Sequence, residues 1–344
     1  MGTCKLSDYD YHLPAELIAQ KPLAQRDKSR MLVLNRGDGS REHVIFDQLP
    51  GYLEKGDLLV LNDTKVIPAR LIGQIAGKKV SAELLLLYKL SGGDWVAMVK
   101  PGRKLKPGTK VLFDHDVEAQ IEAYTQNELR VISFSAPRPL EELLPHLGKV
   151  PLPPYIKEEV ENPDQYQTIY AAKEGSAAAP TAGFHFTDPV FAALREKGVE
   201  ITFITLHIGP GTFQPVKTED IRDHIMHSEY YRIEQETAAR LNRAKKEGRR
   251  VIAVGTTVCR VLEAAAGEKG ILKGQKEGWT DLYIYPGFKF RVVGAMLTNF
   301  HLPRSTLLML VSAFGGHDQV MAAYRQAVEM KYRFYSFGDC MLII

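Results

Sequence analysis

The 344-residue chain has few cysteines and no long apolar run. Its three cysteines, Cys4, Cys259 and Cys340, lie far apart and form no zinc-binding or redox motif. This usage is typical of a reducing compartment, and we predict a cytoplasmic location. No stretch of about 20 apolar residues is present and the N-terminal segment is polar, so the sequence predicts neither a membrane span nor a signal peptide.

Neither sign of charge dominates the composition. Lys and Arg number 44 against 41 Asp and Glu, which gives a formal net charge of +3. This balance excludes a histone-like polycation but allows a local basic face. With 45% apolar residues, a chain of this length can bury a large core and is expected to form two domains.

Several familiar motifs are missing as well. The segment 209–211 lacks the third glycine of a dinucleotide fingerprint, and no Gly-rich segment ends in Gly-Lys-Ser/Thr. There is no glycine-rich loop of the Rossmann-type methyltransferases and no Gly-x-Ser-x-Gly elbow. His185, His207 and His301 could supply a zinc site, but they have no close spacing and no carboxylate in their motifs. We therefore expect no metal.

The chain does contain polar turns that follow predicted buried strands. Apolar, β-branched runs predict parallel strands at 58–61, 199–206, 251–254 and 295–298. Polar turns follow each of them, and another polar segment, 180–187, precedes a helix. Because open α/β sheets bind ligands at the carboxyl ends of their strands, these turns predict an active site at one sheet edge.

The start of the helix after this polar segment has a clear signal. Asp188 is expected to cap the helix, and Pro189 fits the first helical position. A polar loop held against a helix start is a common place for binding and catalytic groups. An ordinary capped turn with a solvated histidine explains this segment equally well when it is taken alone.

The region 67–150 has a different character. Six short strands are expected there without an intervening helix, at 67–72, 80–88, 94–99, 110–113, 119–124 and 129–133, which is typical of a small β-barrel. The predicted fold class is therefore α/β, with a mostly parallel sheet, flanking helices and an inserted small antiparallel β-barrel domain. We predict a discontinuous catalytic domain, 1–66 with 151–344, and a barrel domain, 67–150.

Two basic clusters stand out. The segment 100–110 carries five basic residues and no acid, which suits contact with a phosphate backbone. A solvated hairpin tip explains this segment equally well. The cluster at 243–250 follows a predicted helix, where cations also complement the helix dipole, and we interpret it as structural.

Short motifs follow one another in a specific order along almost the whole chain. They read SDYD at 7–10, RD at 26–27, SR at 29–30, LNDTKVIPAR at 61–70, YQT at 166–168, APTAG at 179–183, LHIGPGTFQPV at 206–216, HSE at 227–229, GTT at 255–257 and TNFHLP at 298–303. In these motifs the chain resembles the S-adenosylmethionine:tRNA ribosyltransferase-isomerases of queuosine biosynthesis. Phe184, Gln165 and His12 depart from the family pattern and affect only local contacts.

The resemblance implies an unusual use of S-adenosylmethionine, as a ribosyl donor rather than a methyl donor. The ribose would be transferred and isomerised onto 7-aminomethyl-7-deazaguanine at the tRNA wobble position, giving epoxyqueuosine-tRNA, adenine and methionine. The resemblance also implies that S-adenosylmethionine is a co-substrate and that a tRNA carrying this nucleobase is the partner. The fold that it implies is an α/β domain with an inserted barrel. We expect a monomer.

This chemistry needs a base for the incoming amine or for the ribose carbon beside the sulfonium, and histidine suits either task. His185 and His207 are the first candidates and His301 is the third. Asp63 or Thr257 could assist the departure of adenine, although Asp63 could instead cap its turn.

The remaining candidates would bind the two substrates. Donor binding is predicted for Thr181, Gly183, Gly209, Gly211, Thr212, Gly255, Thr256, Thr257 and Asn299. Contact with tRNA is predicted for Arg70, Lys100, Arg103, Lys104, Arg260 and Arg304, although Arg260 could point to solvent, and arginines in this set could also bind the methionine carboxylate.

Two other functions remain open from the residues alone. One is a different adenosyl-dependent RNA-modifying enzyme, such as a methyltransferase on an unfamiliar fold. The other is a non-catalytic RNA-binding module in which the barrel alone acts. Release of adenine distinguishes the first, and affinity for S-adenosylmethionine distinguishes the second.

Overall fold

The computed structural model describes residues 4–90, 92–125, 128–158, 162–209, 216–226 and 228–344. These residues form two compact units. The first contains the described residues up to Asp63, those of 154–172 and those from Pro180 onward, and the second contains 64–153 and 173–179. The domain boundaries expected at 66/67 and 150/151 remain a prediction.

A nine-stranded sheet, counted over the described residues, forms the centre of the first unit. In spatial order its strands are β16 (Lys276–Thr280), β14 (Glu229–Ile233), β13 (Glu200–Leu206), β3 (Leu58–Asn62), β15 (Val251–Val254), β17 (Ala295–Asn299), β18 (Cys340–Ile343), β1 (Arg30–Leu34) and β2 (Arg41–Ile45). The neighbours β13, β3, β15 and β17 are parallel, whereas β18 is antiparallel to β17. The predicted parallel strands are therefore adjacent in the sheet.

Helices cover both faces of this sheet. They are α1 (Leu49–Tyr52), α3 (Asp188–Glu196), α4 (Gln235–Lys246), α5 (Thr256–Ala265), α6 (Thr306–Gly315) and α7 (His317–Glu329). Side chains of α1 and α3 share a core with Phe203 of β13. The neighbouring Thr202 points to the other face, where its hydroxyl lies 2.9 Å from that of Thr237 on α4.

A closed barrel forms the second unit. Its six strands in order are β5 (Arg70–Ile75), β6 (Ser81–Lys89), β7 (Trp95–Lys100), β10 (Arg130–Ser135), β9 (Glu118–Tyr124) and β8 (Lys110–Leu112), and β8 pairs back with β5. The barrel, and with it the predicted fold class, is confirmed.

Several smaller features complete the second unit. A Cβ added at Gly73 would lie 2.6 Å from the Leu112 carbonyl oxygen, so glycine permits the close approach that shuts the barrel. The helix α2 (Leu140–Leu147) packs into the barrel core, and β11 (Gly148–Lys149) pairs with β5. The strands β4 (Thr64–Val66) and β12 (Lys173–Ser176) pair in parallel and form a two-stranded sheet. The prediction had assigned 173–179 to the catalytic domain.

The start of α3 differs from its prediction by one residue. Thr187 occupies the N-cap, Asp188 is the first helical residue and Pro189 is the second. The Thr187 hydroxyl does not cap the helix but donates a hydrogen bond to Asp27 Oδ2 at 2.9 Å. This tertiary contact outweighs the local capping preference. Among the described helices, none has the length and apolar character needed to cross a bilayer.

Glu263 of α5 provides a test of the packing around β17. It is 4% exposed, and its carboxylate accepts hydrogen bonds from the backbone N–H groups of Arg291, Val292 and Val293 at 2.8, 3.0 and 2.9 Å. Glu263→Gln places an amide donor against these donors, so the free energy of unfolding should fall by about 2 kcal/mol. Urea unfolding followed by circular dichroism measures the change.

Glu236→Gln is the matched control, because its exposed carboxylate pairs with Arg240 one helical turn away. That substitution should change the free energy of unfolding by less than about 0.5 kcal/mol. Equal effects of the two substitutions would contradict the role given to Glu263.

Candidate active site at one edge of the sheet

The parallel strands bring four predicted turns to one edge of the sheet. Asp63 follows β3, His207 follows β13, Gly255 follows β15 and Asn299 ends β17. Because these strands are parallel neighbours, their carboxyl ends lie side by side, roughly 4.8 Å apart per strand. The turns therefore share the edge where α/β sheets bind ligands.

The loop 180–187 packs onto this edge. Its first turn, Thr181–Gly183, contacts β17, and Ala182 lies 3.7 Å from the Cβ that Gly255 would carry. A Cβ at Gly183 would lie 1.9 Å from the Tyr170 hydroxyl oxygen and 2.8 Å from a methyl carbon of Thr168. Glycine at 183 is therefore required by this packing, and its predicted contact with the donor stays a prediction.

His185 is buried in this loop and held by Ser29. Its Nδ1 lies 2.7 Å from Ser29 Oγ, and the same hydroxyl donates to the Arg26 carbonyl at 3.1 Å. The contact with Ser29 orients the ring, and the tautomer determines which of the two ring nitrogens carries the proton. Within the described residues Nε2 has no hydrogen-bond partner.

The surroundings keep His185 neutral at physiological pH. Burial lowers its pKa to about 4, and the positive charges of Arg333 and Arg26 act in the same direction. The Asn299 side chain opposes them by favouring the protonated ring. A proton accepted by His185 would thus meet an oxygen acceptor at Asn299.

Contacts on the other side of Asn299 set its orientation. Its Nδ2 donates to the Tyr335 carbonyl at 2.9 Å, and within the described part of the chain Oδ1 has no partner. Tyr335 has a φ of 69°, unusual for a residue other than glycine. Strained backbone of this kind is often found at functional sites.

His301 lies on the opposite face of β17. Its Nε2 lies 2.8 Å from Thr298 Oγ1, its N–H donates to the Tyr324 hydroxyl at 3.0 Å and its carbonyl accepts from Tyr11. Burial lowers its pKa to about 3. The hydrogen bonds of His301 and His185 go to different residues, so the structure gives these histidines separate surroundings.

The turn after β13 carries His207 and Gly209. The His207 ring stacks on Tyr230 with centroids 5.9 Å apart, and burial lowers the pKa of His207. The Gly209 N–H donates to Glu229 Oε1 at 3.0 Å, and Glu229 forms a buried ion pair with Arg260 of α5. This chain of contacts joins the turn to α5.

Asp63 directly follows β3 and forms hydrogen bonds with β13. Its N–H donates to the Ile204 carbonyl at 3.0 Å, and its Oδ1 accepts from the Thr205 hydroxyl at 2.7 Å. Burial, with the negative charge of Asp63 beside it, raises the pKa of Tyr170 above its ordinary value. Asp63 therefore has a structural role in addition to its predicted catalytic one.

Thr256 and Thr257 form the first turn of α5, directly after Gly255, whose φ is 95°. Both threonines line a small, mostly apolar cavity that Arg260 also lines. Gly211 and Thr212, predicted to bind the donor, lie outside the described residues, as does His227.

The six predicted tRNA contacts differ in exposure. Lys100, Arg103 and Lys104 are exposed on the barrel. Arg70 is half-buried and pairs with Glu83 at 2.9 Å. Arg304 is exposed and pairs with Asp10. Arg260 is only 4% exposed, so it does not point to solvent.

Four residues beside the loop 180–187 were not predicted to be functional: Ser29, Thr168, Tyr170 and Arg333. Buried oxygens of Thr168 and Tyr170 have no hydrogen-bond partner within the described ranges. Ser29 and Thr168 belong to motifs that carry the family resemblance, which was a usable signal. Tyr170 and Arg333 belong to none of these motifs, so no such signal marked them. No group of three His, Cys, Asp or Glu residues in the described chain is placed to hold a metal ion.

Comparisons with known proteins agree with the motifs. The family model of the queuosine biosynthesis proteins matches residues 6–343. Proteins from Carboxydothermus hydrogenoformans and Desulfitobacterium hafniense, both named S-adenosylmethionine:tRNA ribosyltransferase-isomerase, are 55% and 51% identical over 341 residues, 99% of this chain and 100% of each relative.

A crystal structure of an S-adenosylmethionine tRNA ribosyltransferase from Thermotoga maritima is 40% identical and has a TM-score of 0.56, covering 98% of this chain and 100% of that one. The resemblance found in the sequence is thereby confirmed. The chain belongs to the family of queuosine biosynthesis proteins.

Proposed function

We propose that this protein transfers and isomerises the ribosyl group of S-adenosylmethionine onto 7-aminomethyl-7-deazaguanine at the wobble position of tRNA. The products are epoxyqueuosine-tRNA, adenine and methionine. The observation that carries this proposal is the full-length similarity to relatives of that name. The polar turns at one sheet edge support it, because they suit a small, polar donor.

In this proposal His185 is a base of the reaction. It is neutral at pH 7 and Ser29 orients its ring, and the proposed reaction uses the tautomer in which Nε2 carries the lone pair. Asn299 stabilises the ring once it is protonated. A base needs this combination of a free lone pair and a partner for the acquired proton. His207, whose pKa is lowered by burial, is the second candidate for proton transfer.

The barrel loop 100–106 is the proposed tRNA contact. Lys100, Arg103 and Lys104 are exposed there without a neighbouring acid in the loop. From inside the barrel, Arg130 donates to the carbonyls of Leu105 and Gly102 at 2.8 and 3.1 Å. The loop is therefore held in one conformation, which lowers the entropy lost when it binds a phosphate backbone.

The proposed activity is tested by incubating the protein with S-adenosylmethionine and tRNA that carries the aminomethyl nucleobase. Adenine and methionine should be released in equal amounts. His207→Ala should keep the thermal unfolding midpoint of the wild type but lower the rate of adenine release by at least about 100-fold, the range of general acid–base catalysis. Formation of S-adenosylhomocysteine without adenine would instead identify a methyltransferase, and undiminished turnover would remove His207 from the mechanism.

The neutral state of His185 makes stability depend on pH. Its pKa is about 4 in the folded protein and about 6.5 in an unfolded chain, so the unfolded state binds more protons between these values. The stabilisation is complete above pH 6.5 and is lost as the pH falls toward 4, by about 2 kcal/mol at pH 5.

Urea unfolding at pH 7.5 and pH 5 measures this loss in the wild type and in His185→Gln. The variant has no ring to protonate, so its loss of stability between the two pH values should be smaller by about 2 kcal/mol. The same loss in both proteins would mean that His185 is protonated as easily in the folded protein as in the unfolded one.

The barrel loop is tested by replacing Lys100, Arg103 and Lys104 with glutamine. The affinity for substrate tRNA should fall at least about 10-fold near 0.1 M salt, and the slope of log K against log salt should decrease by about 2. The Kd for S-adenosylmethionine should not change. The matched control replaces the exposed Arg243 and Lys246 of α4, for which we expect no effect on tRNA. Equal losses in both variants would contradict a specific role for the loop.

A further inference from the structure

Tyr124 is an exposed aromatic residue at the end of a barrel strand. It is the last residue of β9 and pairs in register with Arg130, the first residue of β10. The residue is 50% exposed. A single exposed aromatic residue is common on a protein surface, so the groups around the ring decide whether it forms part of a binding site.

Arg130 covers one face of the Tyr124 ring. Its guanidinium carbon lies 4.2 Å from the ring centroid, which makes a cation–π contact. Because Arg130 is only 8% exposed, it approaches the ring from the barrel, and the exposure of Tyr124 belongs to the opposite face and the ring edges. The ring is therefore held on one face and open on the other.

The same guanidinium holds the basic loop 100–106. Its Nε donates to the Leu105 carbonyl at 2.8 Å, its Nη2 to the Gly102 carbonyl at 3.1 Å and its Nη1 to the Glu128 carbonyl. All three nitrogens of Arg130 thus have acceptors, and the loop wraps the group on which the aromatic ring rests. One arginine therefore places the loop directly beside the ring.

Positive charge is in excess around the ring. Glu122 and Glu128 flank it in sequence, and the carboxylate of Glu122 accepts a hydrogen bond from the Ser133 hydroxyl. Three exposed cations of the loop outnumber these two acids: Lys100, Arg103 and Lys104. This excess suits an anion such as a phosphate group next to the ring.

An open aromatic face beside a basic loop is the arrangement by which proteins bind unpaired nucleotides. The cations contact the phosphate backbone, and a base stacks on the ring. Paired RNA offers no base to such a ring, because its bases are already stacked inside the duplex. The geometry therefore favours an unpaired segment of RNA over a duplex.

We propose that Tyr124 is a stacking site for an unpaired base of the substrate tRNA, next to the phosphate contacts of the loop 100–106. The proposal rests on the proposed function, which supplies the tRNA. It adds to the loop a contact that depends on a nucleobase and not on charge. Arg130 is a positioning residue, because it fixes the ring and the loop together.

Substitutions of Tyr124 separate stacking from charge. Tyr124→Ala and Tyr124→Leu both remove the aromatic face, so each should bind substrate tRNA at least about 5-fold more weakly than the wild type. Tyr124→Phe keeps the face and should bind within about twofold of the wild type. Since no cation is removed, the slope of log K against log salt should stay unchanged in all three variants. Fluorescence anisotropy at several salt concentrations measures both quantities.

Leu112→Ala is the matched control, because it removes a side chain of similar exposure, 45%, from β8 of the same barrel. Its affinity for tRNA should equal that of the wild type, and all variants should keep the wild-type thermal unfolding midpoint and Kd for S-adenosylmethionine.

Unchanged tRNA affinity in Tyr124→Ala would overturn the stacking site. A smaller salt slope in that variant would also overturn it, because the ring would then act only by ordering the cations of the loop. A wild-type protein that neither binds the tRNA nor releases adenine would instead overturn the proposed function.

Discussion

Parallel pairing of β13, β3, β15 and β17 is the constraint on which the site depends. It places the ends of four strands side by side, so segments up to about 240 residues apart in sequence form one polar edge. The strands themselves contribute few reactive side chains, since most of their residues are apolar and buried. Their pairing nevertheless determines which turns are neighbours. A shift in register would separate the turns before any catalytic side chain was altered.

The sequence predicted the elements whose signal is local. The runs at 251–254 and 295–298 are apolar on both faces, and the structure forms strands there with ends that differ by one residue at most. The insertion of β18 between β17 and β1 was not predicted. It joins residues near opposite ends of the chain, and such long-range pairing leaves little trace in local periodicity. The barrel strands were predicted because turn residues separate them at short intervals.

Tertiary contacts explain where the site differed from expectation. Thr187 was available as a cap, but Asp27 lies close enough to bind its hydroxyl instead. Gly183 was expected to contact the donor, and the structure shows that Tyr170 already requires the absence of a side chain there. Arg260 was predicted to contact tRNA, with a solvent-facing position on its helix as the alternative, yet it is buried in an ion pair with Glu229. None of these partners lies close in sequence.

Alternation along β17 divides the edge between the two faces of the sheet. Leu297 contributes to the core that contains α3, and Asn299, two residues on, lies on the same side and interacts with His185. Thr298 points to the other side, where it binds His301. His185 and His301 are therefore held on opposite sides of β17.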